Sequence, residues 1–283
     1  MGGAYWLASY PKSGNTWFRI FLQNLLDDAA SPADINRLKI RTMPANRHWL
    51  DTALGFDTAD LTGAELVNVR PAAHEWEATQ YEDFQYWTIH DAYSLTAGGM
   101  PLTGRAGILG AVYILRNPLD VCLSYANYTG LSIDKIIDMM IDPRTAIARD
   151  GDGLKLRVQQ VLLSWSEHVQ SWTEASNVRR LVIRYEDMVR SPTETFTEAA
   201  RFLGLPDDSQ RIAKAIQFST FRSLQAQEKQ RGYVDRPQAA AAFFHRGRVA
   251  AWKDLLSEYQ VRRLVDGLAE IMARFGYLGA GRP

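Results

Sequence analysis

The sequence contains one cysteine, no excess of either charge and no long hydrophobic run. Cys122 alone can form neither an internal disulfide nor a cysteine-based metal cluster, which fits a reducing cytoplasm. The 32 lysines and arginines balance 32 aspartates and glutamates, so no long-range attraction to nucleic acid or an anionic membrane is expected. The start MGGAYWLASY does not have the pattern of a signal peptide, and the stretch AGILGAVYIL is too short to span a bilayer. We therefore expect a cytoplasmic protein that binds neither nucleic acid nor membrane.

Metal-binding patterns are also scarce. Of the five histidines, only His74 is followed by a glutamate, as in the zinc motif HExxH. The position that needs the second histidine is Ala78, which excludes that kind of metalloprotease. The sequence therefore predicts no metal site.

Four short apolar runs, separated by helical patterns, are the strand candidates. They cover residues 5–9, 84–90, 111–115 and 181–186. Strands that alternate with helices form parallel sheets, and a chain with 46% hydrophobic residues can fill a sizeable core. The pattern predicts a three-layer α/β fold, with a central parallel sheet flanked by helices, in a single domain over residues 1–283.

Apolar faces and end signals predict several of the helices. Ser191, followed by proline and then by Glu194, predicts a capping box at the start of a helix that Gly204 ends. Ser257 predicts the start of the last helix, which a glycine at 276 follows. Two apolar faces mark further helices: one is formed by Trp17, Phe21 and Leu25, and the other by Val158, Val161, Leu162, Trp165, Val169 and Trp172.

Two segments, residues 130–154 and 228–242, interrupt this alternation. The first carries an apolar helical piece followed by RDGDG, and the second is polar and then featureless. Long irregular segments in a compact domain are often lids or binding loops, so we expect both to be mobile lids. Surface insertion is nearly as good an explanation.

The stretch YPKSGNTW, residues 10–17, joins the first strand to the first helix. A strand that ends in Pro-Lys-Ser-Gly and continues as a helix presents backbone N–H groups beside a lysine, which is an arrangement that binds anions. The nucleotide loop G-x-x-x-x-G-K-[ST] is absent, because Lys12 precedes Ser13 and Gly14. A simple turn that happens to contain Lys12 is the alternative.

A second strand-to-helix turn carries Arg116 and Ser124. Arg116 ends the strand AVYIL, where its guanidinium can bind a phosphate, and Ser124 follows on the next helix. A magnesium nucleotide site would place an aspartate at such a strand end, so the arginine favours a metal-free, multiply anionic ligand. A surface salt bridge between Arg116 and Asp120 is the alternative.

Two further candidates complete the set. His245, Arg246, Gly247 and Arg248 place basic groups around a glycine that permits close backbone approach, although a solvated basic turn would look the same. His90 ends its strand at the sheet edge where a general base would be useful. A strand-end histidine that bonds only to backbone is the alternative for His90.

In order along the chain, these motifs resemble those of the cytosolic-type sulfotransferases. The matching stretches are YPKSGNTW, TIH at 88–90, ILRNPLDVCLSY, IRYEDM at 183–188, STF at 219–221 and FFHRGRVAAWK. The resemblance runs from about residue 5 to about residue 253. It implies the P-loop-NTPase-like sulfotransferase fold and an enzyme that uses 3′-phosphoadenosine 5′-phosphosulfate (PAPS) and leaves adenosine 3′,5′-bisphosphate (PAP).

The resemblance also implies a role for each site residue. Catalysis would rest on His90 as the base, on Lys12 at the oxygen that bridges sulfur and phosphorus, and on Ser124, which would hold Lys12 back until the acceptor binds. The nucleotide would be held by Lys12, Ser13, Gly14, Asn15, Thr16, Trp17, Arg116, Ser124, Tyr185, Ser219, Phe221, His245, Arg246 and Gly247. Among these, Tyr185 and Phe221 would embrace the adenine.

The sequence departs from the family pattern at three places. Thr88 stands where the family often has a lysine, and His245 stands where an arginine is usual. Residues 253–258 do not reproduce the pattern associated with dimer formation, so the oligomeric state is not predicted.

The leading hypothesis is therefore a sulfotransferase that acts on a hydroxyl, phenol or amine of a small molecule. We expect this acceptor to be aromatic or apolar. A magnesium-ATP phosphotransferase of the nucleoside-kinase kind is the second hypothesis. A non-catalytic PAP-binding module is the third, because of Thr88 and His245.

Overall fold

The structure is a computed structural model that describes residues 2–40, 45–148, 156–175 and 177–278. These residues group into two compact units. The first unit comprises Met1–Tyr10, Ile40–Tyr113 and Asp142–Val182, and the second comprises Pro11–Lys39, Ile114–Ile141 and Ile183–Pro283. The predicted single domain stays a prediction.

Strands and helices alternate along most of the chain. The strands are β1 (Gly3–Ser9), β2 (Phe84–Ile89), β3 (Ile108–Leu115), β4 (Ala146–Ile147), β5 (Gln160–Val161) and β6 (Arg180–Arg184). The helices are α1 (Asn15–Asp27), α2 (Arg47–Leu54), α3 (Gly63–Ala78), α4 (Pro118–Thr129), α5 (Ile133–Ile141), α6 (Trp165–Glu174), α7 (Tyr185–Arg190), α8 (Pro192–Phe202), α9 (Ser209–Phe218), α10 (Phe221–Arg231) and α11 (Glu258–Arg274), with a 3₁₀ helix at Ala251–Asp254.

The central sheet has four parallel strands in the order β2-β1-β3-β6. Strands β1 and β2 pair in parallel from Gly3 opposite Phe84 to Ala8 opposite Ile89. All seven residues of β1 are buried, as expected for a strand in the middle of a parallel sheet. The predicted α/β class and all four predicted strands are therefore confirmed.

The prediction for the fourth strand was two residues too long. Strand β6 ends at Arg184, and α7 begins at Tyr185. The carboxylate of Glu186 is used within the second unit, where it accepts hydrogen bonds from the Asn117 amide at 3.0 Å and from the Tyr277 hydroxyl at 2.9 Å. These contacts help to fix the first turn of α7 in place of a continued strand.

The helix predicted from Val158 onwards begins later, at Trp165. Leu163 has a left-handed backbone (φ 60°), which a helix does not tolerate. Ser164 then caps the helix, since its side chain accepts from the Glu167 amide and the Glu167 carboxylate bonds back to Ser164. Val161 belongs instead to β5, which pairs antiparallel with β4.

The helical part of residues 130–154 contributes one face to the core. Ile136, Ile137 and Met140 of α5 are fully buried, and α5 packs against α4 and α11. In residues 228–242, Tyr233 and Ala240 are also buried. The mobility of both segments stays a prediction, and residues 149–154 lie outside the described residues.

In the described residues, no helix is both long and apolar enough to cross a membrane. The one cysteine, Cys122, is buried and free. Burial raises the pKa of its thiol to about 12, so the thiol is protonated and unreactive near neutral pH.

The two serines predicted as helix caps behave differently. Ser257 forms the capping box of α11 with Gln260. Helix α8 begins at Pro192 as predicted, but the Ser191 side chain makes no capping hydrogen bond. Ser191 is also the residue that ends α7, and its backbone (φ −131°, ψ 58°) departs from the extended conformation of a side-chain cap.

This difference predicts unequal effects of two alanine substitutions on stability. Ser257→Ala should lower the free energy of unfolding by about 1 kcal/mol, because the capping bonds of α11 are lost. Ser191→Ala should change it by less than about 0.5 kcal/mol, the usual range for a surface substitution. Urea unfolding followed by circular dichroism measures both, and equal losses would contradict the structure.

Candidate active site

The loop that follows β1 turns sharply into α1. Lys12 and Gly14 both have left-handed backbones, with φ values of 68° and 110°. A Cβ atom on Gly14 would lie 2.7 Å from a ring carbon of Tyr185, so only glycine fits. The first turn of α1 has no side-chain cap, and an uncapped helix N-terminus is a site that suits an anion.

Lys12 lies between two aromatic rings. Its Nζ atom is 4.1 Å from the ring centroid of Tyr128 and 4.1 Å from that of Phe243. Burial and the nearby Arg116 lower the pKa of Lys12 to about 7, while Asp235 acts in the opposite direction. The ammonium is therefore poised to lose or gain a proton near neutral pH.

Arg116 is buried, with 8% of its surface exposed. Its Nη1 donates to the carbonyl of Lys12 at 3.0 Å, and its guanidinium carbon lies 4.1 Å from the ring centroid of Tyr185. Asp120 does not form the salt bridge considered as the alternative. Its carboxylate accepts instead from the amides of Ala250 and Trp252, at 2.7 Å and 3.1 Å.

Two buried polar atoms in this region have no hydrogen-bond partner among the described residues: Oγ of Ser13 and Nε of Arg116. A buried donor without a partner costs about 1–3 kcal/mol. Both atoms belong to residues that the sequence assigned to phosphate binding. The donor set therefore fits an oxyanion ligand that would satisfy these two groups.

Aromatic rings surround the loop. Tyr185 and Trp17 meet edge to face at 5.6 Å. Phe221 is half-buried, and a Cβ atom on Gly247 would lie 2.2 Å from its ring. Gly247 has a left-handed backbone (φ 61°), so the basic segment lies directly against the ring of Phe221.

Three other residues predicted to bind the nucleotide, Ser219, His245 and Arg246, differ in how far they are buried. The hydroxyl of Ser219 is fully buried, donates to the carbonyl of Ala215 at 2.6 Å and accepts from the amide of Asn24 at 3.3 Å. The hydrogen bonds of this hydroxyl are therefore made to other residues of the second unit. His245 and Arg246 are exposed, and burial followed by the charge of Arg246 lowers the pKa of His245.

Ser124 is half-buried on α4, one turn before Tyr128. Among the described residues no hydrogen bond joins it to Lys12, so its role in holding Lys12 back stays a prediction. The aromatic rings of Tyr128 and Phe243 hold the ammonium instead. Cation–π contacts of this kind contribute about 0.5–2 kcal/mol each.

His90 belongs to the first unit and lies directly after β2. Its Nδ1 is 2.8 Å from the carbonyl oxygen of Ser9. A carbonyl only accepts, so Nδ1 carries the hydrogen and the lone pair of the neutral ring is on Nε2. A backbone bond is thus present, as the alternative interpretation required, but it also fixes the tautomer that a general base needs.

His168 is a packing residue. It is fully buried, its Nδ1 accepts from the hydroxyl of Tyr113 at 2.9 Å, and its Nε2 donates to the carbonyl of His90 at 3.0 Å. Burial lowers its pKa to about 3. It therefore stays neutral and supports the backbone of His90.

Comparisons with known proteins identify the family. A family model described as "Sulfotransferase domain" matches residues 3–276. The chain belongs to the sulfotransferase family. Flavonol 3-sulfotransferase of Flaveria bidentis is 24% identical over 276 residues, which is 91% of this chain and 78% of the relative. Sulfotransferase 1C2 of Rattus norvegicus is 23% identical over 257 residues, which is 88% of this chain and 76% of the relative.

Solved sulfotransferase structures share the fold. The mouse sulfotransferase SULT7A1, solved with PAP, superimposes with a TM-score of 0.56 and 17% identity, over 95% of this chain and 84% of the other. A retinol dehydratase, solved with androsterone and PAP, gives 0.58 and 15% identity, over 95% and 80% of the two chains. The predicted family, the sulfotransferase fold and the class of enzyme are confirmed.

Three features of this sulfotransferase were not predicted from the sequence. The rings of Tyr128 and Phe243 enclose Lys12. The carboxylate of Glu228 is buried and accepts from the amides of Phe243 and Phe244, at 2.7 Å and 2.9 Å. Arg19 of α1 is only 6% exposed, its Nε has no hydrogen-bond partner among the described residues, and burial lowers its pKa.

Gly14→Ala should weaken PAP binding by at least about tenfold, since a displaced Tyr185 ring and a strained loop disturb the uncapped helix end. Gly55→Ala is the matched control, because Gly55 also has a positive φ (76°) but nothing within 4 Å of the added atom. Calorimetric titration with PAP measures both variants. Equal affinities would show that the contact with Tyr185 does not shape the loop.

PAP binding should also depend on pH through Lys12. An anion stabilises the ammonium form, so a group with a pKa of about 7 takes up a proton on binding, and affinity falls as the pH rises from about 7 to 9. Lys12→Met should abolish most of this uptake. Calorimetry in two buffers of different ionisation enthalpy measures it, and unchanged uptake in the variant would contradict the assignment to Lys12.

Proposed function

We propose that the second unit binds PAPS between the Lys12 loop and Arg116. The observation that carries this proposal is the pair of unsatisfied buried donors, Ser13 Oγ and Arg116 Nε, beside the uncapped start of α1. The phosphosulfate end would lie at the loop, with Lys12 through Trp17. The 3′-phosphate would lie at Arg116 and Ser124, with Arg246 and Gly247 at its outer side.

The adenine would lie against aromatic side chains of the same unit. Tyr185 and Phe221 would embrace it, with Trp17 alongside. Ser219 contributes through its backbone and through its support of α1 in this proposal, because its hydroxyl is already bonded. His245 and Arg246 are exposed and able to close over the nucleotide.

The reaction is an in-line transfer of the sulfonate group to an acceptor hydroxyl or amine. PAPS supplies the activated sulfonate when it is bound. Lys12 stabilises the negative charge that develops on the bridging oxygen, a type of stabilisation that is usually the largest single contribution to catalysis. His90 takes the acceptor proton at Nε2, which contributes about 10²–10⁴ in rate.

The acceptor in this proposal is a small molecule with an aromatic or apolar body. The rings of Tyr128 and Phe243 beside Lys12 support it, since they offer two apolar faces next to the transferred group. The names of the relatives are compatible with it, because they include a flavonol sulfotransferase and a protein solved with androsterone. We further propose that residues 1–283 act as one domain and that the enzyme works in the cytoplasm.

Lys12→Ala and His90→Ala test the mechanism. Each should lower sulfonate transfer from PAPS by at least about 10²-fold, and Lys12→Ala should also weaken PAP binding. Lys39→Ala and His48→Ala are matched controls on exposed residues and should leave the rate unchanged. Acceptors are identified by incubating the protein and PAPS with a metabolite extract. Full transfer in both site variants would refute the mechanism.

Thermal shift experiments test the proposed nucleotide site. The protein should be stabilised by PAP alone, by about 2.7 kcal/mol at a concentration of about one hundred times the dissociation constant. ATP with magnesium should give a smaller shift than PAP. Stabilisation by ATP with magnesium and none by PAP would contradict the proposed site.

A further inference from the structure

The segment that begins with His90 is bonded to other elements of the first unit. The carbonyl of His90 accepts from His168 at 3.0 Å, and the carbonyl of Asp91 accepts from the indole nitrogen of Trp172 at 2.9 Å. The next amide donates to the carbonyl of Val161 at 2.8 Å. The backbone on the C-terminal side of His90 is therefore fixed by α6 and β5.

Asp91 adds a buried ion pair to these backbone bonds. Nη1 and Nη2 of Arg70, on α3, donate to the two carboxylate oxygens at 3.0 Å and 2.8 Å, which is a bidentate arrangement. Both side chains are 1% exposed. The same carboxylate accepts from the amide of Val161 at 3.2 Å. The carboxylate of Asp91 thus connects the segment after β2 to α3 and to β5, at the residue next to His90.

Stability alone is a poor explanation for this pair. A buried ion pair loses the hydration of both charges, and apolar side chains of similar volume are often as stable or more so. The Nε atom of Arg70 is also buried with no partner among the described residues, which adds to the cost. What the pair provides is geometry, because two parallel hydrogen bonds fix both the position and the rotation of the carboxylate.

We propose that Arg70 and Asp91 are positioning residues for His90. The pair fixes the peptide that follows His90, which orients the imidazole so that Nδ1 donates to the carbonyl of Ser9 and Nε2 carries the lone pair. A misplacement of a reacting group by about 1 Å can cost about 10²-fold in rate. The role of Arg70 and Asp91 in catalysis rests on the proposed function of His90. Their effect on the orientation of the His90 ring does not depend on that function.

Histidine NMR and kinetics test this proposal in the full chain with PAP bound. The variants are Arg70→Met, Asp91→Asn and the apolar double variant Arg70→Met with Asp91→Leu. In protein labelled with ¹⁵N-histidine, the His90 signal is the one that is missing from the spectrum of His90→Gln. This signal should show the Nδ1–H tautomer in the wild type. It should show a mixture of tautomers in all three variants. Transfer from PAPS to 2-naphthol should fall at least tenfold in kcat, with the affinity for PAP within twofold.

Asp51→Asn is the matched control. It makes the same substitution in the same unit, where Asp51 accepts from the amide and hydroxyl of Thr58 at 3.0 Å and 2.7 Å. It should change neither the His90 signal nor kcat. An unchanged His90 tautomer in the three variants overturns the proposal, and so does loss of PAP binding in all three, because the pair would then serve the fold alone.

The same experiment separates this proposal from the function on which it rests. If His90→Gln transfers sulfonate at the wild-type rate, His90 is not the base and the mechanism fails. The tautomer measurement still decides whether Arg70 and Asp91 orient the ring. Recovery of the tautomer and of kcat in Asp91→Glu, which keeps the carboxylate, would support positioning over bulk packing.

Discussion

The hydrogen bond from Arg116 to the carbonyl of Lys12 is the contact on which the proposed nucleotide site depends. It ties the end of β3 to the loop that follows β1, so both proposed anion positions are set by one guanidinium. The ring of Tyr185 covers the other side of that guanidinium and at the same time fills the space that a side chain at Gly14 would take. Three elements thus meet around a single buried charge. The Nε atom of Arg116, which has no hydrogen-bond partner in the described part of the chain, is the donor that the proposed ligand would satisfy.

Much of this arrangement could be predicted from the sequence. The strands were visible as short apolar runs. The order of turn, lysine and glycine predicted the turn from β1 into α1, and its role as an anion loop stays a prediction. The chemistry of single residues was equally informative. An arginine where a magnesium site would need an aspartate favoured a ligand that needs no metal, and the structure gives that arginine partners other than Asp120.

The errors have local causes that periodicity cannot reveal. Leu163 is apolar and fits a helical pattern, but its left-handed backbone delays α6 until Ser164. Ser191 has the right neighbours for a capping box, yet it also ends the preceding helix. Other contacts were equally hidden: Ser219 matched a motif position, and its role at the nucleotide stays a prediction, but the motif does not show that its hydroxyl bonds to Asn24 and Ala215. The rings around Lys12 come from distant parts of the chain, and only the fold brings them together.

Glu228 connects two parts of the proposed site. Its carboxylate accepts from the amides of Phe243 and Phe244, so the ring beside Lys12 is attached to α10, the helix that begins with Phe221. In the proposed complex, Phe221 lies against the adenine and Phe243 lies beside the lysine of the anion loop. One helix would therefore serve both the base and the phosphosulfate of the nucleotide.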